Sequence, residues 1–301
     1  MGNIILLFAC LAIGMALRKY GRVPENAHTT LNAFIIHVSL PALTLLQIHK
    51  IVLQPALLYS VTMPWMLFAI GVAFFWVASK AMRLSPTTTG ALMLSGGLAN
   101  TSFVGLPMIE TFYGRSGIAI GILIDQLGTY LVLSTLGIVI ASAYSAGTNS
   151  ASDILKRVFT FPPLLALLLA LALLHVEYPQ WFDELLRRLG DTLSPLALVS
   201  VGLQLRLDQL QGNRSPLMLG LSFKLLLAPL LLAILYIGVM RASGEVMRIT
   251  LFEAAMGPQI GGAIVAIQHG LNPPLITLMV GIGIILSFVT LPAWWYALQT
   301  L

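Results

Sequence analysis

The sequence predicts an all-α polytopic membrane protein, and its composition and hydropathy lead to this prediction. Apolar residues occupy 58% of the 301 positions and charged residues 9%, whereas soluble proteins have about 45–50% and about 25%. The mean hydropathy is +0.92. Apolar runs of about 20 residues, the length that crosses the hydrocarbon core, recur along the chain. These runs lack the alternation of barrel strands, so we expect helices.

About ten transmembrane helices are predicted, with short connections between them. The longest connection, at 144–156, contains the serine, glycine and asparagine residues typical of a linker. The predicted spans are 3–19, 28–49, 56–80, 88–112, 116–143, 158–175, 190–206, 216–240, 246–268 and 273–298.

The distribution of basic residues indicates a membrane orientation and argues against nucleic-acid binding. The net charge is +5, but the lysines and arginines stand at the ends of apolar runs, where cytoplasmic connections carry them. With ten spans, nine basic residues fall on one side and six on the side of the N-terminus. We therefore expect both termini outside, in a bacterial inner (plasma) membrane.

Two pairs of prolines indicate an internal repeat. Pro41 and Pro195 are 154 residues apart, and Pro107 and Pro258 are 151 residues apart. A repeat of five spans is odd in number, so the second copy must be inverted, as in many carriers. The alternative is a chance match, because membrane helices are rich in proline. The predicted organisation is a first repeat at 1–143, a cytoplasmic linker at 144–156 and a second repeat at 157–301.

The fourth and ninth predicted helices carry features that break a helix. Proline lacks an N–H group and clashes with the preceding turn, and glycine weakens a helix further. Broken helices at membrane depth offer unpaired backbone groups to a ligand, and their N-termini favour an anion. The alternative is a simple kink. The predicted substrate-binding residues are Asn100, Thr101, Ser102, Gly105, Pro107, Gly257, Pro258 and Gln259.

At these positions the sequence resembles the auxin efflux carrier family, which includes the plant PIN-formed auxin carriers and bacterial carriers of malonate or malate type. The resemblance covers nearly the whole chain and is most specific in the fourth and ninth helices. The matching motifs are NTSFVGLP at 100–107, FYG at 112–114, GPQ at 257–259 and HGLNP at 269–273, with shorter matches at 41–43, 161–163, 224–225 and Pro229.

The resemblance implies a fold and a mechanism. Helices one, two, six and seven would form a scaffold that also forms a homodimer, and helices three to five and eight to ten would form a moving transport domain. The broken helices four and nine would cross, with the substrate anion at the crossing and an elevator-type motion. Glu110 departs from the family pattern, since some relatives carry a basic or apolar residue there. The long cytoplasmic loop of plant members is missing.

Ionisable groups inside apolar runs cost several kcal/mol and usually serve a function. Asp125, Glu253 and Lys224 are the candidates for ion coupling, with a proton or sodium as the coupled ion. Lys224 could instead extend to a lipid headgroup. Glu110 could be a solvated helix cap, and His37 is expected to be a core histidine.

The predicted function is secondary active transport of a small organic anion, a carboxylate such as malonate, malate or an auxin-like acid. An enzyme is not expected, because no HExxH, DDxxD, GxGD, GxSxG or P-loop motif occurs. No metal or cofactor is expected, and membrane lipid is expected to surround the protein. The alternatives are a channel and a non-transporting membrane sensor of the same ligands.

Overall fold

A computed structural model describes residues 2–49, 51–52, 54–145, 159–174, 176–204 and 213–300. Within these ranges the regular structure is helical, and an isolated antiparallel bridge joins Ala99 and Pro258. The all-α prediction is therefore confirmed for the described residues. Apart from its first two residues, the predicted linker at 144–156 lies outside them.

The first half of the chain contains eight of the described α-helices. Short π-helical segments continue several of them, at Ile35–Ser39, Thr101–Gly105, Ile124–Tyr130 and Leu133–Gly137. The α-helices are α1 (Gly2–Lys19), α2 (Ala27–Phe34), α3 (Leu40–Ile48), α4 (Leu57–Met82), α5 (Pro86–Gly96), α6 (Leu106–Phe112), α7 (Ile118–Leu123) and α8 (Ile138–Ala143).

The second half of the chain also combines α-helices with short π-helical segments. Its π-helical segments are Phe223–Leu227 and Ile234–Val239. Its described α-helices are α9 (Pro162–Ala172), α10 (Gln180–Gly190), α11 (Leu193–Gln204), α12 (Arg214–Ser222), α13 (Ala228–Ala233), α14 (Glu245–Ala254), α15 (Ile260–Gln268) and α16 (Pro273–Gln299).

Five of the described helical runs are long and apolar enough to cross a membrane. Helix α4 alone has 26 residues, which at about 1.5 Å per residue exceeds the hydrocarbon core of about 30 Å. The structure therefore supports a polytopic membrane protein, and the count of ten spans stays a prediction. The five runs are Ala27–Ile48, Leu57–Met82, Arg115–Ala143, Arg214–Val239 and Pro273–Gln299.

The contacts divide the chain into two compact units. The first unit contains residues 1–54, 102–122 and 157–205. The second unit contains residues 55–101, 123–156 and 206–301. Each unit combines segments from both halves of the sequence.

In the first unit, α1 packs closely on α11. A Cβ atom added at Gly14 would lie 2.9 Å from the Cα of Gly202, and one added at Gly202 would meet the carbonyl oxygen of Leu11. Small residues let the two backbones approach in this way, as is common between membrane helices. Helix α3 packs against both α9 and α10.

In the second unit, α4 packs against α5, α14 and the π-helical segment at 124–130. A Cβ atom at Gly71 would lie 2.8 Å from the Cα of Gly97, so α4 and the end of α5 are in backbone contact. Phe75 packs edge-on against Phe223, with ring centroids 4.8 Å apart. These contacts fix the elements that carry the candidate site.

Candidate functional site

Two interruptions of helical structure meet in the second unit. Helix α5 ends at Gly96 and helical backbone resumes at Thr101, and a second gap separates the end of α14 from the start of α15. The backbone N–H of Asn100 donates to the carbonyl oxygen of Gly257 at 2.9 Å. Peptide groups that leave the helices are therefore partly paired with each other, as burial requires.

The sequence predicts a break at Pro107, but the first interruption lies elsewhere. It lies at 97–100, and Pro107 is the second residue of α6. The π-helical segment at Thr101–Gly105 runs directly into α6, so Pro107 lies within a continuous helical stretch. A local π-helical adjustment of this kind lets a membrane helix accommodate proline. Pro258, in contrast, lies inside the second interruption and takes part in the bridge to Ala99.

Gln259 precedes α15 and places an amide group at its N-terminus. The residue is extended, with φ −76° and ψ 131°, and 7% exposed. Its Oε1 atom has no hydrogen-bond partner among the described residues. A Cβ atom at Gly262 would lie 3.3 Å from this oxygen. The side chain therefore lies over the first turn of α15, where free N–H groups and the helix dipole favour an anion.

A short hydrogen bond connects the predicted substrate residues to the predicted coupling residues. The Thr101 hydroxyl donates to Asp125 Oδ1 at 2.6 Å. Thr101 is fully buried and Asp125 is 4% exposed. Asp125 lies in a π-helical segment, and such segments are frequent at functional sites.

Lys224 is fully buried, so its side chain does not extend to the lipid headgroups. Its Nζ atom donates to the carbonyl oxygen of Ala254 at 2.8 Å. Ala254 is the last residue of α14. The ammonium group thus lies at a helix C-terminus, where the dipole favours a cation.

Glu253, beside Ala254, is also fully buried. Among the described residues, neither of its carboxylate oxygens has a hydrogen-bond partner. Asp125 and Lys224 are the charged groups that act on it electrostatically. Two carboxylates and one ammonium group therefore share a buried region of the second unit.

Several supporting residues were not foreseen from the sequence. The hydroxyls of Ser60 and Thr250 hydrogen-bond at 2.7 Å and connect α4 to α14. A Cβ atom at Gly283 would lie 2.6 Å from Pro258, so α16 supports the second interruption through a glycine. These residues carry no sequence signal, because serine, threonine and glycine are common in membrane helices.

The unit boundary falls between Thr101 and Ser102, inside the predicted site. The second unit holds five of the eight predicted residues, and the first unit holds Ser102, Gly105 and Pro107. In the first unit, Pro107 lines a cavity of about 230 Å³ together with Pro195 and Leu198.

The same cavity is bordered by an ion-pair cluster. Arg115 contacts Asp191 at 2.9 Å and Glu110 at 3.6 Å. Ser194 donates to the second Glu110 oxygen at 2.8 Å. Glu110 is therefore held by two partners and is more than a solvated cap.

The described residues include no group of three or more His, Cys, Asp or Glu side chains that could hold a metal ion. Beside the two interruptions, the described polar groups include the amides of Asn100 and Gln259, the bond from Thr101 to Asp125, and the buried side chains of Glu253 and Lys224. Such groups can bind an ion or a small polar solute at membrane depth.

These features describe a helical membrane protein in which buried polar groups lie beside gaps in the helical structure. The model of the membrane transport protein family matches residues 1–295. The chain belongs to this family, and the resemblance to the auxin efflux carriers is confirmed.

Two archaeal relatives are similar to the chain. An uncharacterized transporter of Methanothermobacter thermautotrophicus is 28% identical over 299 residues, which cover 97% of this chain and 96% of the relative. An uncharacterized transporter of Methanocaldococcus jannaschii is 25% identical over 214 residues, which cover 68% of each chain. Membership of a membrane transporter family is consistent with the expectation that the chain is not an enzyme.

Proposed function

We propose that this protein is a secondary active transporter of a small organic anion, such as malonate, malate or an auxin-like acid. The observation that carries the proposal is the meeting of two helix interruptions through the bond from Asn100 to Gly257. In carriers, paired interruptions of this kind form the substrate site.

The chemistry of the site favours an anion. The first turn of α15 offers N–H groups and the positive end of a helix dipole. The amide groups of Asn100 and Gln259 supply neutral polar atoms that can donate to a carboxylate. Thr101, Gly257 and Pro258 complete the proposed site within the second unit, and Ser102, Gly105 and Pro107 stay predicted substrate-binding residues.

The proposed mechanism is an elevator-type motion within a fold of ten helices and two inverted repeats, 1–143 and 157–301. The scaffold would contain helices one, two, six and seven, and the transport domain the other six. A homodimer formed through the scaffold fits this mechanism, because it would hold the scaffold fixed in the membrane. We propose an inner-membrane location with both termini outside.

Coupling to an ion is assigned to Asp125, Glu253 and Lys224. These groups are buried in the same unit as Asn100 and Gln259. The bond from Thr101 to Asp125 connects the coupling residues to the substrate residues. A change in the charge of the buried cluster would therefore change anion affinity.

Thermal unfolding of the purified protein against a panel of anions tests this proposal. The panel contains malonate, malate, other carboxylates and indole acetate. A ligand at 100 times its dissociation constant stabilises the folded state by about 2.7 kcal/mol. We expect one carboxylate to raise the unfolding temperature of the wild type.

The matched variants are Gln259→Ala and Gln268→Ala, at the two ends of α15. Gln268 is exposed. We expect the shift to be lost in Gln259→Ala and in Asn100→Ala and kept in Gln268→Ala. A shift that survives in all three variants would remove the substrate from this site, and no shift with any anion would contradict the anion class.

A further inference from the structure

Glu253 differs from the two other buried charges of the second unit in its hydrogen bonding. Asp125 accepts a hydrogen bond from Thr101, and Lys224 donates one to the carbonyl of Ala254. Among the described residues, Glu253 has no partner for either oxygen although it is fully buried. A buried carboxylate without a partner is far less stable than a buried neutral acid.

Among the described residues, the helices packed most closely against α14 add no further charge near Glu253. They are α4, α13 and α16, and α13 and α16 contain no Asp, Glu, Lys, Arg or His. Lys80 of α4 lies near a helix end, over the ring of Trp76. On α14 itself, Glu245 is exposed and Arg248 donates to Gln299. Asp125 and Lys224 therefore set the local field.

The charge balance of this cluster is unequal. With all three groups ionised, Asp125 and Glu253 outnumber Lys224 by one negative charge. Low-dielectric surroundings make such an excess costly. A substrate anion that binds in the same unit would increase this excess of negative charge. Binding of the anion therefore favours binding of a cation.

We propose that Glu253 is the residue that binds the coupled proton, and that one proton moves with each substrate anion in the same direction. This inference rests on the proposed transport function. The carboxylate takes up H⁺ when the anion binds and returns it when the anion leaves. The loaded cluster then contains the Asp125 carboxylate, the Lys224 ammonium group and a neutral Glu253.

A proton fits this position better than sodium. The Lys224 ammonium group acts electrostatically on Glu253, so it would repel a sodium ion bound beside this carboxylate. A metal cation also needs several oxygen ligands, whereas a proton needs one oxygen and no coordination shell.

Transport in proteoliposomes at zero membrane potential tests the proposal. With one proton per anion, making the outside one pH unit more acidic raises the inside-to-outside ratio of labelled malonate about tenfold. We expect this response in the wild type and in Glu245→Gln, an exposed glutamate of the same helix. We expect its loss in Glu253→Gln, whose side chain imitates the protonated acid.

The outcomes separate this inference from the proposed function. Exchange of labelled for unlabelled malonate needs no net proton movement, so we expect measurable exchange in Glu253→Gln. No exchange in the wild type would contradict the transport proposal itself. Exchange in the wild type, with an unchanged tenfold response in Glu253→Gln, would overturn the proton site alone. Loss of the response in Asp125→Asn but not in Glu253→Gln would move the site to Asp125.

Infrared difference spectra give a second readout that needs no transport. A protonated carboxyl group has a carbonyl band separate from the carboxylate bands. We expect addition of malonate to produce this band in the wild type and in Glu245→Gln, and not in Glu253→Gln. Absence of the band in the wild type, or its persistence in Glu253→Gln, would overturn the inference.

Discussion

The two units each contain a cluster of charged side chains, and the two clusters differ in their exposure to solvent. In the first unit, Glu110, Arg115 and Asp191 are in direct contact and partly exposed, with 24–47% of each side chain accessible. In the second unit, Glu253 and Lys224 are fully buried. Exposed pairs are screened by water and contribute about 0–1 kcal/mol, whereas buried charges are costly even when paired.

This difference indicates which charges serve structure and which serve function. The first-unit cluster can be explained as a weak link between α6 and the start of α11. The second-unit cluster has no such explanation, because apolar residues of similar volume would pack equally well. Variants that change one cluster at a time therefore test whether the buried and the exposed charges have different roles.

The largest effect is expected for Lys224→Met. The change leaves two buried carboxylates without their cation and removes the hydrogen bond to Ala254, so stability should fall by about 3–5 kcal/mol. Unfolding in detergent micelles measures the loss. Lys80→Met is the matched control, since Lys80 is exposed, and we expect it to cost less than about 1 kcal/mol. Equal losses of stability in the two variants would contradict the distinction between buried and exposed charges.

A smaller effect is expected for Gly283→Ala. The new Cβ atom would lie 2.6 Å from Pro258, so the backbone must shift, at a cost of about 1–3 kcal/mol. The control is Gly238→Ala, where the nearest atom lies 3.9 Å away. We expect malonate affinity to fall with stability in Gly283→Ala and to stay unchanged in the control. Unchanged affinity in both variants would separate Pro258 from the site.

The smallest effect is expected for Asp191→Asn. The ion pair with Arg115 is about half-exposed, so its loss should cost less than about 1 kcal/mol and less still at high salt. A double-mutant cycle with Arg115→Gln measures the coupling energy. A coupling well above 1 kcal/mol would show that the first-unit cluster is as important as the buried one.

The fold class and the buried charges could be predicted from the sequence. Long apolar runs require helices in lipid, and a lysine or glutamate inside such a run is noticeable against that background. The sequence pattern indicates Asp125, Glu253 and Lys224 for this reason, and the structure places all three in the second unit.

The position of the first interruption could not be predicted. Proline was the stronger signal, but the π-helical segment at 101–105 lets the helical backbone continue through Pro107. The helix stops earlier, at Gly96, where an added Cβ atom would lie 2.6 Å from the ring of Phe75. A glycine required by a tertiary contact is not distinguishable from other glycines in one sequence.

The sequence also could not predict which side chains pair with each other. Thr101 and Asp125 are 24 residues apart on different helices, and their contact depends on which face each helix turns inward. A π-helical segment shifts that face, and its position depends on packing as well as on local sequence.

Counterflow of labelled malonate in proteoliposomes is the decisive measurement for a carrier whose substrate site contains Asn100 and Gln259. We predict saturable counterflow in the wild type and in Gln268→Ala. In Asn100→Ala and Gln259→Ala we predict a loss of about tenfold or more, since a hydrogen bond to a charged group contributes about 1.5–3 kcal/mol. Equal counterflow in all four proteins would contradict the proposed site, and a flux that does not saturate in the wild type would indicate a channel.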